Sequence, residues 1–251
     1  MVGGGGSGIG YAVAAHLSRA GHQVVVTGRR ADALGEAARR LSEGTAAPVH
    51  PLAGDIADPG HPAAVADAEE RYGPFDVLVL NAGGPPPGRV LEVTDEQWCD
   101  AFGLLVTGPL RLARLLLPGM ARRGFGRVVF VTSTAVRQPQ PDLATSVALR
   151  SAATAVAKLL SREFAANGVT VNCVAPGPIA TDRRREILSA RADATGEPPA
   201  TLDAQDTATV PAGRPGLPEE VAAAVAFLAS PQAAYINGTV LTVDGGRTET
   251  I

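Results

Sequence analysis

The stretch that most constrains this chain is its start, Gly3-Gly4-Gly5-Gly6-Ser7-Gly8-Ile9-Gly10, which an alanine-rich helical pattern follows directly. Glycines are needed where the backbone turns tightly and lets a phosphate approach it. The helix behind them then points free N–H groups and its positive dipole end at that phosphate. An apolar strand pattern, Gln23–Thr27, comes next at the spacing of nucleotide folds, which favours a nucleotide loop over a flexible linker.

Strand and helix patterns alternate along the rest of the chain. We predict strands at Gln23–Thr27, Val49–Ala53, Asp76–Leu80, Arg127–Thr132, Val169–Val174 and Val240–Val243. We predict helices at Ala31–Glu43, Pro62–Tyr72, Thr94–Leu117, Thr145–Asn167 and Pro218–Ser230. This alternation predicts an α/β fold in three layers, a parallel sheet with helices on both faces. No linker divides residues 1–251, so we expect one domain, with a substrate lid over residues 182–216 that is mobile at Ala192–Pro215.

The first strand of such a sheet is nearly absent from the sequence. A nucleotide fold places it at the centre of the sheet, ahead of the glycine loop, and only Met1 and Val2 stand there. A missing central strand leaves buried N–H and C=O groups of its neighbours unpaired, at about 1–3 kcal/mol for each. The sequence therefore suggests either a start upstream of Met1 or a shortened, less stable copy.

Charge and composition exclude several classes of function. The net charge of −3 argues against a nucleic-acid binder, which needs a basic face. The longest apolar stretch, Leu104–Met120, is broken by Arg111 and Arg114, so we expect no membrane segment. Two cysteines are too few for a disulfide framework, and the four histidines lack metal-ligand spacing. We expect a soluble, cytoplasmic protein without a metal.

Several short motifs follow the predicted strands and resemble, together, the short-chain dehydrogenase/reductase family over essentially the whole chain. They are Gly4, Gly8, Ile9 and Gly10 of the glycine loop, Asp55-Ile56, Asn81-Ala82-Gly83, Asn172, Pro176-Gly177 and Asp244-Gly245-Gly246. The 3-oxoacyl-carrier-protein reductase-like group is the nearest in character. The resemblance implies a Rossmann-like, doubly wound sheet, a nicotinamide cofactor and a homodimer or homotetramer built on helices Thr94–Leu117 and Thr145–Asn167.

The resemblance also implies which residues bind the cofactor. They are Gly4, Ser7, Gly8, Ile9, Gly10, Asp55, Ile56, Asn81, Gly83, Arg150, Pro176, Gly177, Ile179 and Thr181. NAD-binding proteins place a carboxylate at the end of the second strand, where this chain has Gly28 followed by Arg29. Arg29 can pair with a 2′-phosphate and Ser7 can donate to it. A hydrogen bond to a charged group is worth about 1.5–3 kcal/mol, which favours NADP over NAD about tenfold or more. The alternative is that Arg29 and Arg30 are ordinary solvated charges.

The sequence departs from the family at its catalytic residues, which the resemblance gives as Asn, Ser, Tyr and Lys. Ser133 occupies the Ser position, and Ser146 stands thirteen residues later, where the family has Tyr. Arg150 stands where the family has Lys, and Leu105 where it has Asn. Asn172 keeps the family's spacing to Arg150, which argues against a shifted alignment.

These changes alter the chemistry expected at the site. A serine hydroxyl is a far weaker acid than a tyrosine phenol, whose reference pKa is about 10. Arg150 stays protonated and serves a proton relay poorly, although it can bind a ribose hydroxyl or stabilise an oxyanion. General acid catalysis is worth about 10²–10⁴-fold, so carbonyl reduction by the tyrosine mechanism is expected to be lost or slowed by that factor.

Three hypotheses remain open at this point. The chain can be an NADP-dependent oxidoreductase in which Ser133, Ser146 and Arg150 bind the substrate oxygen and water or a substrate acid supplies the proton. It can be a non-redox enzyme of the same fold (an isomerase, dehydratase or cyclase) that uses Arg150 as an oxyanion stabiliser. It can also be a catalytically silent oligomer partner. We favour the first, acting on a small carbonyl or hydroxyl compound.

Three further features of the substrate half have ordinary alternatives. Asp142 is a candidate acid or base, although a turn or cap role is favoured. Arg137, in the same loop, has the same ordinary alternative. Arg183-Arg184-Arg185 follow Thr181 and can attract an acidic or phosphopantetheine-linked substrate, although a solvated helix face is favoured.

Overall fold

Seven parallel strands form one sheet in the order β3-β2-β1-β4-β5-β6-β7, in a computed structural model that describes residues 1–43, 45 and 47–250. The strands are β1 Val2–Gly3, β2 Val24–Gly28, β3 Val49–Ala53, β4 Val77–Leu80, β5 Gly126–Val131, β6 Val169–Pro176 and β7 Val240–Val243. The order reverses between β1 and β4, so the carboxyl ends of these strands open a crevice at that point. The predicted parallel α/β sheet is confirmed.

Helices cover both faces of this sheet. They are α1 Gly8–Arg19, α2 Ala31–Ser42, α3 His61–Tyr72, α4 Asp95–Phe102, α5 Gly108–Arg123, α6 Ala144–Phe164, α7 Asp182–Thr195, α8 Pro199–Ala208 and α9 Pro218–Ala229. Because strand side chains alternate between faces, Val24 and Val26 pack in one core cluster while Val25 packs in the other. The first cluster lies under α1, α2 and α9, and the second under α3, α5 and α6. The three predicted layers are therefore present.

The first strand is as short as the sequence indicates, yet it occupies the centre of the sheet. Val2 pairs with both Val26 of β2 and Val79 of β4. Met1 extends the pairing, since its amino group donates to the Val77 carbonyl at 2.7 Å and its carbonyl accepts from the Val79 N–H at 2.9 Å. At these positions the expected loss of pairing does not occur.

The long helix predicted from Thr94 is continuous in outline but changes its winding midway. Thr94 caps α4 through a capping box with Gln97, as the sequence suggests. A π-helical turn, Gly103–Thr107, then joins α4 to α5, which ends at Arg123 rather than at Leu117. The continuous helix Asp95–Arg123 has 29 residues and is long and apolar enough to cross a membrane, but half of its most apolar stretch is buried inside the protein.

The segment 182–216 contains more regular structure than its composition indicates. Both α7 and α8 lie entirely within this segment, and α8 also lies within Ala192–Pro215, the part that we expected to be mobile. A proline at the start favours the formation of α8, because Pro199 occupies the first helical position, where a backbone N–H would have no partner within the helix. That this segment is a mobile lid stays a prediction.

Candidate active site

A cavity of about 310 Å³ lies at the carboxyl ends of the central strands. It brings together thirteen residues singled out from the sequence: Gly4, Ser7, Gly8, Ile9, Asn81, Gly83, Ser133, Ser146, Arg150, Pro176, Gly177, Ile179 and Thr181. The glycine loop forms one end of the cavity, and α6 with α7 forms the other. This position, at the reversal of strand order, is where open α/β sheets bind ligands.

The glycine loop is folded tightly against the turn after β4. The Asn81 side-chain amide donates to the Gly3 carbonyl at 3.0 Å, which fixes the loop on the sheet. Gly4 and Gly8 have φ angles of 60° and 53°, in the left-handed region that favours glycine. At Gly10, a Cβ atom would stand well under 3.0 Å from the Gly4 carbonyl oxygen, so only glycine fits this crossing.

The loop leaves hydrogen-bonding groups available at the start of α1. Ser7 is the N-cap residue, yet its hydroxyl makes no capping hydrogen bond to the helix. The first turn of a helix has N–H groups without intrahelical partners, and a capping side chain ordinarily satisfies some of them. Ser7, Gly8 and Ile9 line the cavity, so this end of it suits the diphosphate of a dinucleotide.

Four residues assigned to the cofactor lie outside this cavity. Gly10 is buried beneath the loop, and Arg29 is exposed directly after β2. The Asp55 carboxylate accepts from the Ala57 N–H at 3.0 Å and so shapes its own turn. Ile56 faces a separate, small cavity behind Arg150. Their assignment to the cofactor stays a prediction.

Ser146 and Arg150 stand one turn apart near the start of α6 and contact each other. The Arg150 Nε donates to the Ser146 Oγ at 3.1 Å, and its Nη1 donates to the Val131 carbonyl at 2.9 Å. The Ser133 Oγ accepts from the Ala135 N–H at 3.1 Å. Both serine oxygens accept these bonds, and neither hydroxyl donates to another of the described residues, so both protons can be donated to an oxygen in the cavity.

The charge of Arg150 is not balanced by a carboxylate within the described part of the chain. Burial, together with a smaller effect of the nearby charge of Arg183, lowers the pKa of the Arg150 guanidinium to about 10. A pKa of about 10 keeps Arg150 protonated at neutral pH. The residue is a fixed cation and hydrogen-bond donor there, not a proton donor.

An apolar side chain, Leu105, stands behind Arg150, at the position where the resemblance implies an Asn. Leu105, in the π-helical turn, is 5% exposed. It borders a cavity of about 20 Å³ together with Ile56, Leu80 and Phe130, behind Arg150. Thr132 and Arg150 are the polar side chains among the described residues that line it, so a water there would have few polar partners. Leu105 therefore offers no polar group to a water behind Arg150.

Sequence reasoning missed most of the charged residues at the substrate end of the cavity. Arg184 forms ion pairs with Asp203, at 2.9 Å, and with Asp206. The Arg247 Nη2 lies 2.9 Å from the same Asp206 carboxylate. The interpretation of Arg184 as a solvated charge is therefore wrong, because its side chain is only 10% exposed.

Asp142 is part of this charged end as well. Its carboxylate lies 2.6 Å from the Arg191 Nε, so it forms an ion pair rather than only a turn. The interval of seven residues between Arg184 and Arg191 places both on one face of α7, a signal that the sequence contained. Arg137, in contrast, donates to the Val240 carbonyl at 3.4 Å and does not line the cavity.

His61 and Cys173 are buried in the fold, away from the cavity, whereas Cys99 is exposed. The buried His61 lies 3.3 Å from the Thr27 hydroxyl, and its ring packs against Gly54. Cys173 is buried in β6, and burial raises the pKa of its thiol to about 12. Across residues 1–43, 45 and 47–250, no group of three or more His, Cys, Asp or Glu side chains could hold a metal ion.

Comparison with known proteins identifies relatives along nearly the whole chain. Residues 4–248 match the family model described as enoyl-(acyl carrier protein) reductase. The acetoacetyl-CoA reductase of Rhizobium meliloti is 33% identical over 250 residues, covering 98% of this chain and 97% of the relative.

Solved structures agree with this match. The L-sorbose reductase from Gluconobacter frateurii, complexed with NADPH and L-sorbose, is 32% identical with a TM-score of 0.93, covering 100% of this chain and 96% of the other. An NADPH-dependent reductase involved in bacilysin biosynthesis is 28% identical, also with a TM-score of 0.93, covering 100% and 98%.

Proposed function

This chain belongs to the short-chain dehydrogenase/reductase family, and we propose that it is an NADP(H)-dependent oxidoreductase acting on a carbonyl or hydroxyl group through Ser133, Ser146 and Arg150. One observation carries this proposal: the Arg150–Ser146 hydrogen bond lies in the same cavity as the glycine loop. A hydroxyl positioned by a fixed cation is thereby available to a substrate that shares this cavity with a dinucleotide.

The assignment of NADP(H) as the cofactor rests on two places in the fold, the glycine loop and the end of β2. Ser7 and the start of α1 suit a diphosphate, while Arg29, after β2, is the cation available for a 2′-phosphate. NADPH is also the cofactor of the two solved reductases compared above. When bound, NADPH supplies the hydride that a carbonyl carbon accepts.

The residues of this chain bind and polarise the substrate oxygen. The Ser133 and Ser146 hydroxyls donate to it, and Arg150 strengthens Ser146 as a donor by donating to its oxygen. Neither serine gives up its proton near neutral pH, and Arg150 keeps its own. The proton that completes an alcohol is therefore assigned to water or to an acid group of the substrate.

A non-redox reaction is the second candidate, and Leu105 favours it. An apolar wall behind a permanently charged Arg150 suits stabilisation of an enolate oxygen, which needs no proton delivery to Arg150. In that case, the protein would convert an enolisable carbonyl compound without consuming NADPH. Absorbance at 340 nm during turnover distinguishes the two reactions.

We further propose that the segment 182–216 closes over the substrate and that the protein is a cytoplasmic homodimer or homotetramer. Arg191 and Arg184 already join α7 to Asp142 and to α8, a suitable arrangement for a lid.

Phe102 and Leu159, on the helices assigned to the homodimer or homotetramer, are 45% and 60% exposed. Light scattering should give twice or four times the mass of one chain, and a single-chain mass would contradict the assembly.

Titration of NADPH and NADH into the purified protein tests the cofactor. We expect NADPH to bind at least about tenfold more tightly than NADH, because Arg29 pairs with the 2′-phosphate. Arg29→Ser should remove most of this preference and leave NADH binding unchanged. Arg19→Ser, at the far end of α1, is the matched control. Equal affinity of the natural protein for both cofactors would refute the role of Arg29.

A further inference from the structure

We infer that the substrate carries a carboxylate group that binds between Arg150 and Arg183, close to the carbonyl that Ser146 contacts. The inference rests on the proposed function only in placing a carbonyl oxygen at Ser146. It assigns the substrate class to keto acids or hydroxy acids rather than to neutral ketones, sugars or esters.

The distribution of charge in the cavity is the first observation. Among the residues that the structure describes, five arginines line it, at positions 150, 183, 184, 191 and 247, and one acidic residue, Asp206. Arg184 and Arg247 share Asp206, and Arg191 pairs with Asp142. These three cations are therefore balanced by carboxylates of the protein.

Arg150 and Arg183 differ from the other three. Arg150 has hydrogen bonds only to a hydroxyl and a carbonyl oxygen among the described residues. Arg183 has Glu186 at 3.4 Å, but the Glu186 side chain is 65% exposed and faces solvent. The uncompensated positive charge of the cavity is thus concentrated at these two guanidinium groups.

Arg183 is held in place across the cavity. Its Nη2 donates to the Pro85 carbonyl at 2.5 Å, which links α7 to the loop after β4. A Cβ atom on Gly84 would stand 2.6 Å from the Arg183 Nε, so the glycine lets the guanidinium lie directly on this backbone. The side chain is 27% exposed, and its position is thereby fixed at little entropic cost to a ligand.

Two partly buried cations that repel each other favour an anion between them. The charge of Arg183 contributes to the lowered pKa of Arg150, and burial lowers the pKa of Arg183 as well. A carboxylate would relieve both effects and accept paired hydrogen bonds from a planar guanidinium. Because Arg150 donates to Ser146 and both line the same cavity, an anion at Arg150 would lie next to the reacting carbonyl.

The test compares acetoacetate with methyl acetoacetate, which share a reacting carbonyl and differ in the carboxylate. Binding to the NADP⁺-loaded protein and to the protein alone is measured by calorimetry. We expect acetoacetate to bind at least about tenfold more tightly than methyl acetoacetate. Arg183→Gln should abolish most of this preference, and Arg183→Lys should retain part of it because the charge is kept.

Arg185→Gln is the matched control, because Arg185 lies on the same helix with its side chain 77% exposed. It should leave the preference unchanged. Equal binding of the two probes, failure of acetoacetate to bind, or an unchanged preference in Arg183→Gln would each overturn the inference.

A separate titration with NADPH distinguishes the substrate from the cofactor. If Arg183→Gln weakens NADPH binding about tenfold and keeps the acetoacetate preference, Arg183 serves the cofactor's diphosphate and the inference is wrong. If the natural protein binds no NADPH but prefers acetoacetate, the inference stands and the proposed redox function fails.

Discussion

Replacing Ser146 by Tyr together with Arg150 by Lys should raise the rate of NADPH-dependent reduction of a simple β-ketoester by about 10²–10⁴-fold. A tyrosine phenol beside an ammonium group can deliver a proton as the alkoxide forms, whereas the Ser146 hydroxyl cannot. The two positions already lie one turn apart on α6, facing a cavity of about 310 Å³. Steady-state oxidation of NADPH with methyl acetoacetate measures the effect.

The single exchanges are the controls for this gain. Ser146→Tyr alone leaves a guanidinium that already donates to Val131, and Arg150→Lys alone leaves no acid, so each should gain little. A double variant that binds NADPH normally but gains nothing would show that the missing phenol is not what limits reduction. If only the double variant has any activity on β-ketoesters, the non-redox hypothesis becomes the favoured one for the natural protein.

The pH profile gives an independent readout of the same experiment. Arg150, with a pKa of about 10, is protonated at every pH from about 6 to 9, and serine does not titrate there. The rate of the natural protein should therefore be flat over this range and change only as pH rises toward 10. The double variant should acquire a pH dependence within the range, because lysine lowers the tyrosine pKa into it.

Local patterns were sufficient to predict the sheet, and the family resemblance singled out glycine-loop residues and Asn81, which line one cavity. Val49–Ala53 and Val240–Val243 have the predicted bounds, and the capping box at Thr94 is visible in four consecutive residues. Asn81 and Gly4 could be placed together because both follow central strands, whose carboxyl ends meet. These features depend on short-range sequence or on one rule of topology.

The substrate end could not be predicted in the same way. The ion pair between Asp142 and Arg191 joins residues 49 positions apart, and the one between Asp206 and Arg247 joins residues 41 apart. No local pattern specifies which arginine receives which carboxylate, since that choice depends on how α7 and α8 pack. The contact of Arg183 with Pro85 depends on the absence of a side chain at Gly84, a reason visible only in three dimensions.

Gly10→Ala should weaken NADPH binding by about 100-fold or more. The new methyl group would overlap the Gly4 carbonyl oxygen, and both groups belong to the backbone of one tight turn, so no flexible side chain can move aside. The loop must shift, and two or more hydrogen bonds to a charged diphosphate, worth about 1.5–3 kcal/mol each, are lost together. Calorimetric titration measures the change, and circular dichroism establishes that the variant is folded.

Gly35→Ala is the matched control, since Gly35 lies in α2 with no atom near the position of the new methyl group. It should leave NADPH affinity unchanged and stabilise the fold by about 1 kcal/mol, the difference in helix propensity. The NADPH affinity of Gly8→Ala should lie between those of Gly10→Ala and Gly35→Ala. At Gly8 the φ of 53° costs an alanine about 1–2 kcal/mol, without a backbone clash. If Gly10→Ala bound NADPH as tightly as the natural protein does, NADPH binding would not depend on this loop.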